Sequence, residues 1–241
     1  MKKYIKKIYN GTQKEYENYL KNQLQKEEKT FVVTANPEIL MLGENKKSFD
    51  SLLMDPQTQI VADGIGIIKG AKMLGIHLPE RIPGVELAEM LLKTCAESNK
   101  SVYLFGASHQ VLEQLVTNLR TTYPTLNIIG FADGYVTDKQ SVFEEIKRLT
   151  PDVVLVALGA PLQEELIYQN LSAFKKGIFM GVGGSFDVLS GMKKRAPKLF
   201  IKLNLEWLYR MAGSPKRWKR FFNGNVKYIW KIRKEVKNSN D

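Results

Sequence analysis

Apolar residues fall along this chain in blocks of two alternating kinds. The first kind is a run of four to seven residues: TFVVT (30–34), QIVA (59–62), SVYLFG (101–106), LNIIGF (126–131), VVLVALG (153–159) and GIFMGVG (177–183). These runs are short, β-branched or aromatic, and bounded by turn residues, so they predict strands. The second kind is longer and repeats at helical spacing. It predicts helices over 12–29, from Pro37, over the run after Gly64, and over 84–98, 108–120, 138–149 and 161–175. In NPEILML, Asn36 is suited to cap the helix and Pro37 to occupy its first turn.

Strands alternate with helices, and several strands are apolar on both faces. The expected fold class is therefore α/β: a Rossmann-like, mostly parallel sheet with helices on both faces. Such sheets hold ligands beyond the carboxyl ends of their strands. The residues there are Thr34, Asn36, Asp63, Gly64, Gly106, Asp133, Gly159, Gly183 and Gly184, with Tyr135 just beyond Asp133 and Asp187 in the following GGSFD. Glycine lets the backbone approach a phosphate, and helix starts favour anions.

The pattern changes after Met192. Between Lys193 and Lys237 stand 15 Lys and Arg against Glu206 and Glu235, in a chain whose net charge is +11, so the preceding domain is slightly acidic. Trp218, Phe221, Phe222, Val226, Ile229, Trp230 and Val236 recur among these cations at helical spacing. The division expected is 1–192, a catalytic α/β domain, and 193–241, a basic amphipathic helical appendage. Such an appendage suits an anionic membrane surface or packs its stripe on the main domain.

Composition narrows the function further. With an apolar fraction of 44%, the chain can build a core, and the lone Cys95 forms no intramolecular disulfide. Cys95 lies in an apolar helical pattern and is expected in the core. His77 and His109 are too few for a histidine-based metal site, and no DxD pair stands at a strand end. No apolar run approaches the ~20 residues of a membrane span. A cytoplasmic protein, peripheral on the inner face of the cell membrane, is the expectation.

Asp63 follows a strand at a tight Asp-Gly turn, where a carboxylate can serve as base for an acceptor hydroxyl or cap the next helix. Arg81, between Pro79 and Pro83, can grip a diphosphate or lie on the surface. Gln163 and Asp187 can bind sugar or ribose hydroxyls or belong to helix starts. An oxidoreductase would want GxGxxG after the first strand, which TANPEI does not supply. A nucleic-acid-binding protein using the basic tail would leave the strand-end cluster without a role, and no nucleic-acid motif appears. A membrane-surface scaffold is a third alternative.

In order along the chain, TANPE (34–38), ADGIGI (62–67), PERIPG (79–84), VYLFGA (102–107), LGAPLQE (158–164), GVGGSFDVLSGMKKRAP (181–197) and LEWLYRM (205–211) resemble the WecG/TagA/CpsF glycosyltransferases, from about Thr34 to Tyr228. The resemblance implies an inverting, metal-independent transferase of cell-envelope polymer synthesis that needs no cofactor. It implies transfer of N-acetylmannosamine from a UDP donor to undecaprenyl-diphosphate-linked N-acetylglucosamine through a β-1,4 bond, as in wall teichoic acid synthesis. Other relatives use the uronic acid or a hexose. Asp63 matches the family's base. Thr34, Asn36, Arg81 and Gln163 match its other site residues, and Arg210, Arg217 and Arg220 match arginines of its appendage. Partners implied are the donor, the lipid acceptor, an anionic membrane and further copies of the chain, with no nucleic acid.

Overall fold

The computed structural model describes residues 1–194, 196, 197, 200 and 215–238, with the backbone alone over 215–223. Six strands form one parallel sheet: β1 Lys29–Ala35, β2 Thr58–Ala62, β3 Ser101–Gly106, β4 Asn127–Ala132, β5 Val153–Ala157 and β6 Gly177–Gly181. Their order is β2-β1-β6-β5-β3-β4. All six match expected strands. The last two stop at Ala157 and Gly181, short of the expected ends, because the chain turns at Gly159 and Gly183, both with positive φ.

Alternation along the strands feeds two cores. Phe31 and Val33 of β1, Phe105 of β3 and Phe179 of β6 face one, and Val32, Leu104 and Met180 face the other. The first core is covered by α1 (Lys2–Lys7), α3 (Pro37–Asn45), α4 (Lys47–Met54), α5 (Ile65–Met73), α8 (Lys139–Leu149), α9 (Leu162–Asn170) and part of α11 (Pro215–Asn238). The second is covered by α2 (Gln13–Gln25), α6 (Gly84–Glu97), α7 (His109–Thr122) and the short α10 (Ser185–Leu189). Cys95 lies in the second core, fully buried, and burial pushes its thiol up to about 12.

Local sequence explains the helix starts. Thr12 and Glu15 form a reciprocal capping box on α2. Asn36 caps α3 by accepting from the amide of Ile39, with Pro37 in the first turn, as the sequence predicts. Helices α1 and α4 were not expected. They are six and eight residues long, too short to show a period, and tertiary packing of Tyr4, Ile5, Phe49, Leu52 and Leu53 holds them.

The aromatic stripe of the appendage divides differently from its spacing. Tyr228 and Ile232 enter the first core, while Val226, Ile229 and Trp230 are exposed. The fit at Tyr228 is close: a Cβ on Gly70 of α5 would lie 2.1 Å from its hydroxyl oxygen. Glu44 of α3 pairs with Lys231, and Met1 and Lys2 bond Glu235.

Candidate active site

Strands β1 and β6 are neighbours, yet the helices that follow them, α3 and α10, pack on opposite faces. The loops therefore diverge at the carboxyl ends, where such a sheet usually holds its ligand in a crevice. Thr34, at the end of β1, donates from its hydroxyl across this crevice to the carbonyl of Gly181, at 3.3 Å.

On the β2 side, Asp63 follows the strand and is partly exposed. Its own amide donates to the carbonyl of Ala35 at 2.9 Å, locking the end of β2 to the end of β1. Its carboxylate does not cap the next helix: α5 starts at Ile65, behind Gly64, with no side-chain cap. Instead Oδ1 accepts from the amide of Gly84, the first residue of α6, at 3.3 Å. The same glycine touches Thr34, for a Cβ there would stand 2.9 Å from the Thr34 methyl carbon. Gly84 thus joins the hydroxyl and the carboxylate. Arg81 lies three residues earlier and is partly exposed. The intervening Ile82 donates its amide to Ala62 at 2.7 Å, which pins this loop beside the end of β2.

On the β5 side, Gln163 sits in the first turn of α9 and is 4% exposed. Its Oε1 accepts from the amides of Gly159 at 3.0 Å and Gly183 at 3.1 Å, clamping the turns after β5 and β6 together. This fixes Nε2 as the donor end, which reaches Glu164 Oε1 at 2.7 Å. A Cβ on Gly159 or Gly183 would meet nothing within 4 Å, so both glycines border open space. Their amides are already engaged; what these glycines offer is room and positive φ.

A chain whose crevice is built this way matches the family model of the glycosyl transferase WecG/TagA/CpsF family over residues 5–241. The protein belongs to this glycosyltransferase family. It is 38% identical over 209 residues to the N-acetylglucosaminyldiphosphoundecaprenol N-acetyl-beta-D-mannosaminyltransferase of Bacillus spizizenii, covering 87% of this chain and 80% of the relative. It is 39% identical over 207 residues to the like-named enzyme of Bacillus subtilis, covering 86% and 80%. With that of Staphylococcus aureus strain MW2 it shares 38% over 200 residues, 83% of this chain and 76% of the relative.

The glycosyltransferase gathers Thr34, Asp63, Gly64, Gln163, Gly159, Gly183 and Gly184 on four consecutive strands, β2-β1-β6-β5. At ~4.8 Å per strand, that stretch spans roughly 14 Å. Asn36 is also there, with its oxygen spent on the cap of α3, and a Cβ on Gly64 would lie 3.2 Å from its Cβ. Gly106 turns with φ +124 beside Ala157, where no side chain fits. Asp133 and Tyr135 stand farther along the rim, past the edge strand β4. Asp133 accepts from the amide of Tyr135 at 2.8 Å, and Tyr135 is 82% exposed. Asp187 lies in α10 and pairs with Lys193 at 2.8 Å. Arg210 lies outside the described residues, as do the side chains of Arg217 and Arg220.

Gly84 and Glu164 escaped the reading of the sequence. Gly84 was visible only as the end of PERIPG, and its contacts with positions 34 and 63 exist only in three dimensions. Glu164 is 1% exposed, and burial raises its carboxyl to about 7. In sequence it is one of two adjacent glutamates in LQEE, and nothing there separates it from the more exposed Glu165.

Proposed function

We propose that this glycosyltransferase moves N-acetylmannosamine from its UDP donor to N-acetylglucosamine carried on undecaprenyl diphosphate, forming a β-1,4 bond with inversion. The proposed setting is wall teichoic acid synthesis. The observation that carries the reading is the pairing of Asp63 and Thr34 around Gly84, beside the open crevice. Asp63 takes the proton of the acceptor hydroxyl as that oxygen bonds to the sugar's anomeric carbon. The bond from that carbon to the diphosphate oxygen breaks, and UDP leaves with the electron pair. The names of the three relatives support the lipid-linked acceptor and the sugar moved to it. The sugar end is assigned to β1 and β2, and the nucleotide to the glycine turns, with Asp133, Tyr135 and Asp187 farther along.

In this reading arginines, not a divalent ion, meet the diphosphate charge: Arg81 from its loop, and Arg210, Arg217 and Arg220 from the appendage. Chelation with EDTA should therefore leave turnover unchanged. No helix among the described residues is long and apolar enough to cross a membrane. The exposed Val226, Ile229 and Trp230, with Lys234 at 5.6 Å from the Trp230 ring centre, favour peripheral contact with the cytoplasmic leaflet that carries the acceptor. Copies of the chain are proposed to associate there. A screen of UDP-sugars against a lipid-linked N-acetylglucosamine acceptor, read by product mass, tests the assignment. A product with the uronic acid or a neutral hexose would replace the donor while keeping the mechanism.

A further inference from the structure

The carboxyl of Glu164 is almost wholly enclosed, yet it lies one side chain from the proposed donor site. Its Oε1 accepts the amide of Gln163. Its Oε2 has no hydrogen-bond partner among the described residues. Gln163 in turn holds the Gly159 and Gly183 turns that border the crevice. Room for the pair exists because position 181 is glycine: a Cβ there would meet Gln163 Nε2 at 2.6 Å and Glu164 Oε1 at 2.9 Å.

The surroundings of this carboxyl disfavour negative charge. Burial is the largest influence; hydrogen bonds from Gln163 and from the backbone amide of Glu164 itself offset it in part, and Glu165 and Glu38 add repulsion from α9 and α3. Glu165 is paired with Lys46 at 2.6 Å. The strands beneath α9 bring one ionisable group, Lys29 at the opposite end of β1, where it bonds Leu171 O. Helix α4 brings Lys47 and Asp50, the latter bound to Lys3 and Tyr4. None of these gives Glu164 a cation. A nucleoside diphosphate seated beside Gly159 and Gly183 adds further negative charge on the other side of Gln163, in a site of low dielectric.

We propose that Glu164 is a positioning residue that takes up a proton from solvent when the anionic donor binds, so that Gln163 keeps its clamp on the two glycine turns beneath a neutral carboxyl. The inference rests on the donor site proposed above. Protonation of Oε2 turns the carboxylate into a carboxylic acid and leaves Oε1 as acceptor for Gln163. Donor affinity is then coupled to proton uptake, and it weakens as the pH rises through the range where the free enzyme loses that proton.

The experiment is calorimetric titration of the full chain with a UDP-sugar, whose diphosphate diester does not itself titrate near neutrality. It is run in buffers of different ionisation enthalpy from about pH 6 to about pH 8, a range set on either side of the carboxyl's titration. The wild type should take up a fraction of a proton near neutrality and lose affinity several-fold across the range. Glu164→Gln keeps an acceptor for Gln163 but cannot titrate. It should bind as the wild type does at low pH, with that uptake gone and the affinity flat. Unchanged uptake and unchanged pH dependence in Glu164→Gln, with the variant's melting temperature at or above that of the wild type, would overturn the inference alone. Failure of the wild type to bind any UDP-sugar at any pH would overturn the proposed function and the inference with it.

Discussion

Oδ1 of Asp63 accepts a hydrogen bond from the amide of Gly84 at 3.3 Å. Because Gly84 also leaves no room for a Cβ beside Thr34, one backbone residue sets the distance between the proposed base and its neighbouring hydroxyl. Gly84→Ala should displace this arrangement, since the added methyl would stand 2.9 Å from the Thr34 methyl carbon and 3.2 Å from its hydroxyl oxygen. Turnover should fall by about one to two orders of magnitude, the usual result of a small misplacement of reacting groups. Steady-state kinetics with a lipid-linked acceptor check this.

Gln163 bridges two strand ends, so its removal leaves two amides unpaired. Gln163→Leu should lower stability by about 1–3 kcal/mol for each amide left unsatisfied, less where water enters the crevice. Denaturant titration measures the loss. If Gln163 served the donor alone, stability would stay near wild type and only the donor KM would rise.

Stability should also report on Glu164. Its carboxyl is raised from 4.5 to about 7 in the fold, so the folded protein holds a proton that the unfolded chain has released. The sign follows: this contribution is fully present below about pH 4.5 and is lost as the pH climbs through about 7, a loss on the order of 3 kcal/mol. Glu164→Gln should abolish that loss and melt higher than the wild type at pH 8. Urea unfolding across this range checks it.

On α11 the buried and exposed faces predict opposite phenotypes. Gly70→Ala drives a methyl into Tyr228 and should loosen the helix from α5, lowering the melting temperature. Trp230→Asp and Val226→Asp fall on exposed positions and should leave the fold intact while weakening binding to anionic vesicles. Differential scanning fluorimetry and vesicle co-sedimentation separate the two effects.

The six strands were legible because each is a compact apolar run closed by glycine, proline or a charged turn, and a fully buried parallel strand shows little else. Asn36 was legible for a similar reason: capping is local, decided within four residues. The division of α11 was not. Spacing marks Val226, Ile229 and Trp230 as one stripe, and nothing nearby in sequence reveals that α3 and α5 receive Tyr228 and Ile232 instead. The strand-end rule placed Asp63, Thr34 and the glycines at one crevice. It did not reveal that the amides of Gly159 and Gly183 are already occupied by Gln163.

The most direct test of the central claim is the turnover of Asp63→Asn with UDP-N-acetylmannosamine and the lipid-linked acceptor. The amide oxygen of asparagine still accepts from Gly84, so the fold and donor binding should persist. Loss of the base should cut kcat by about 100- to 10,000-fold. Turnover within a few-fold of the wild type would contradict Asp63 as the base of the transfer.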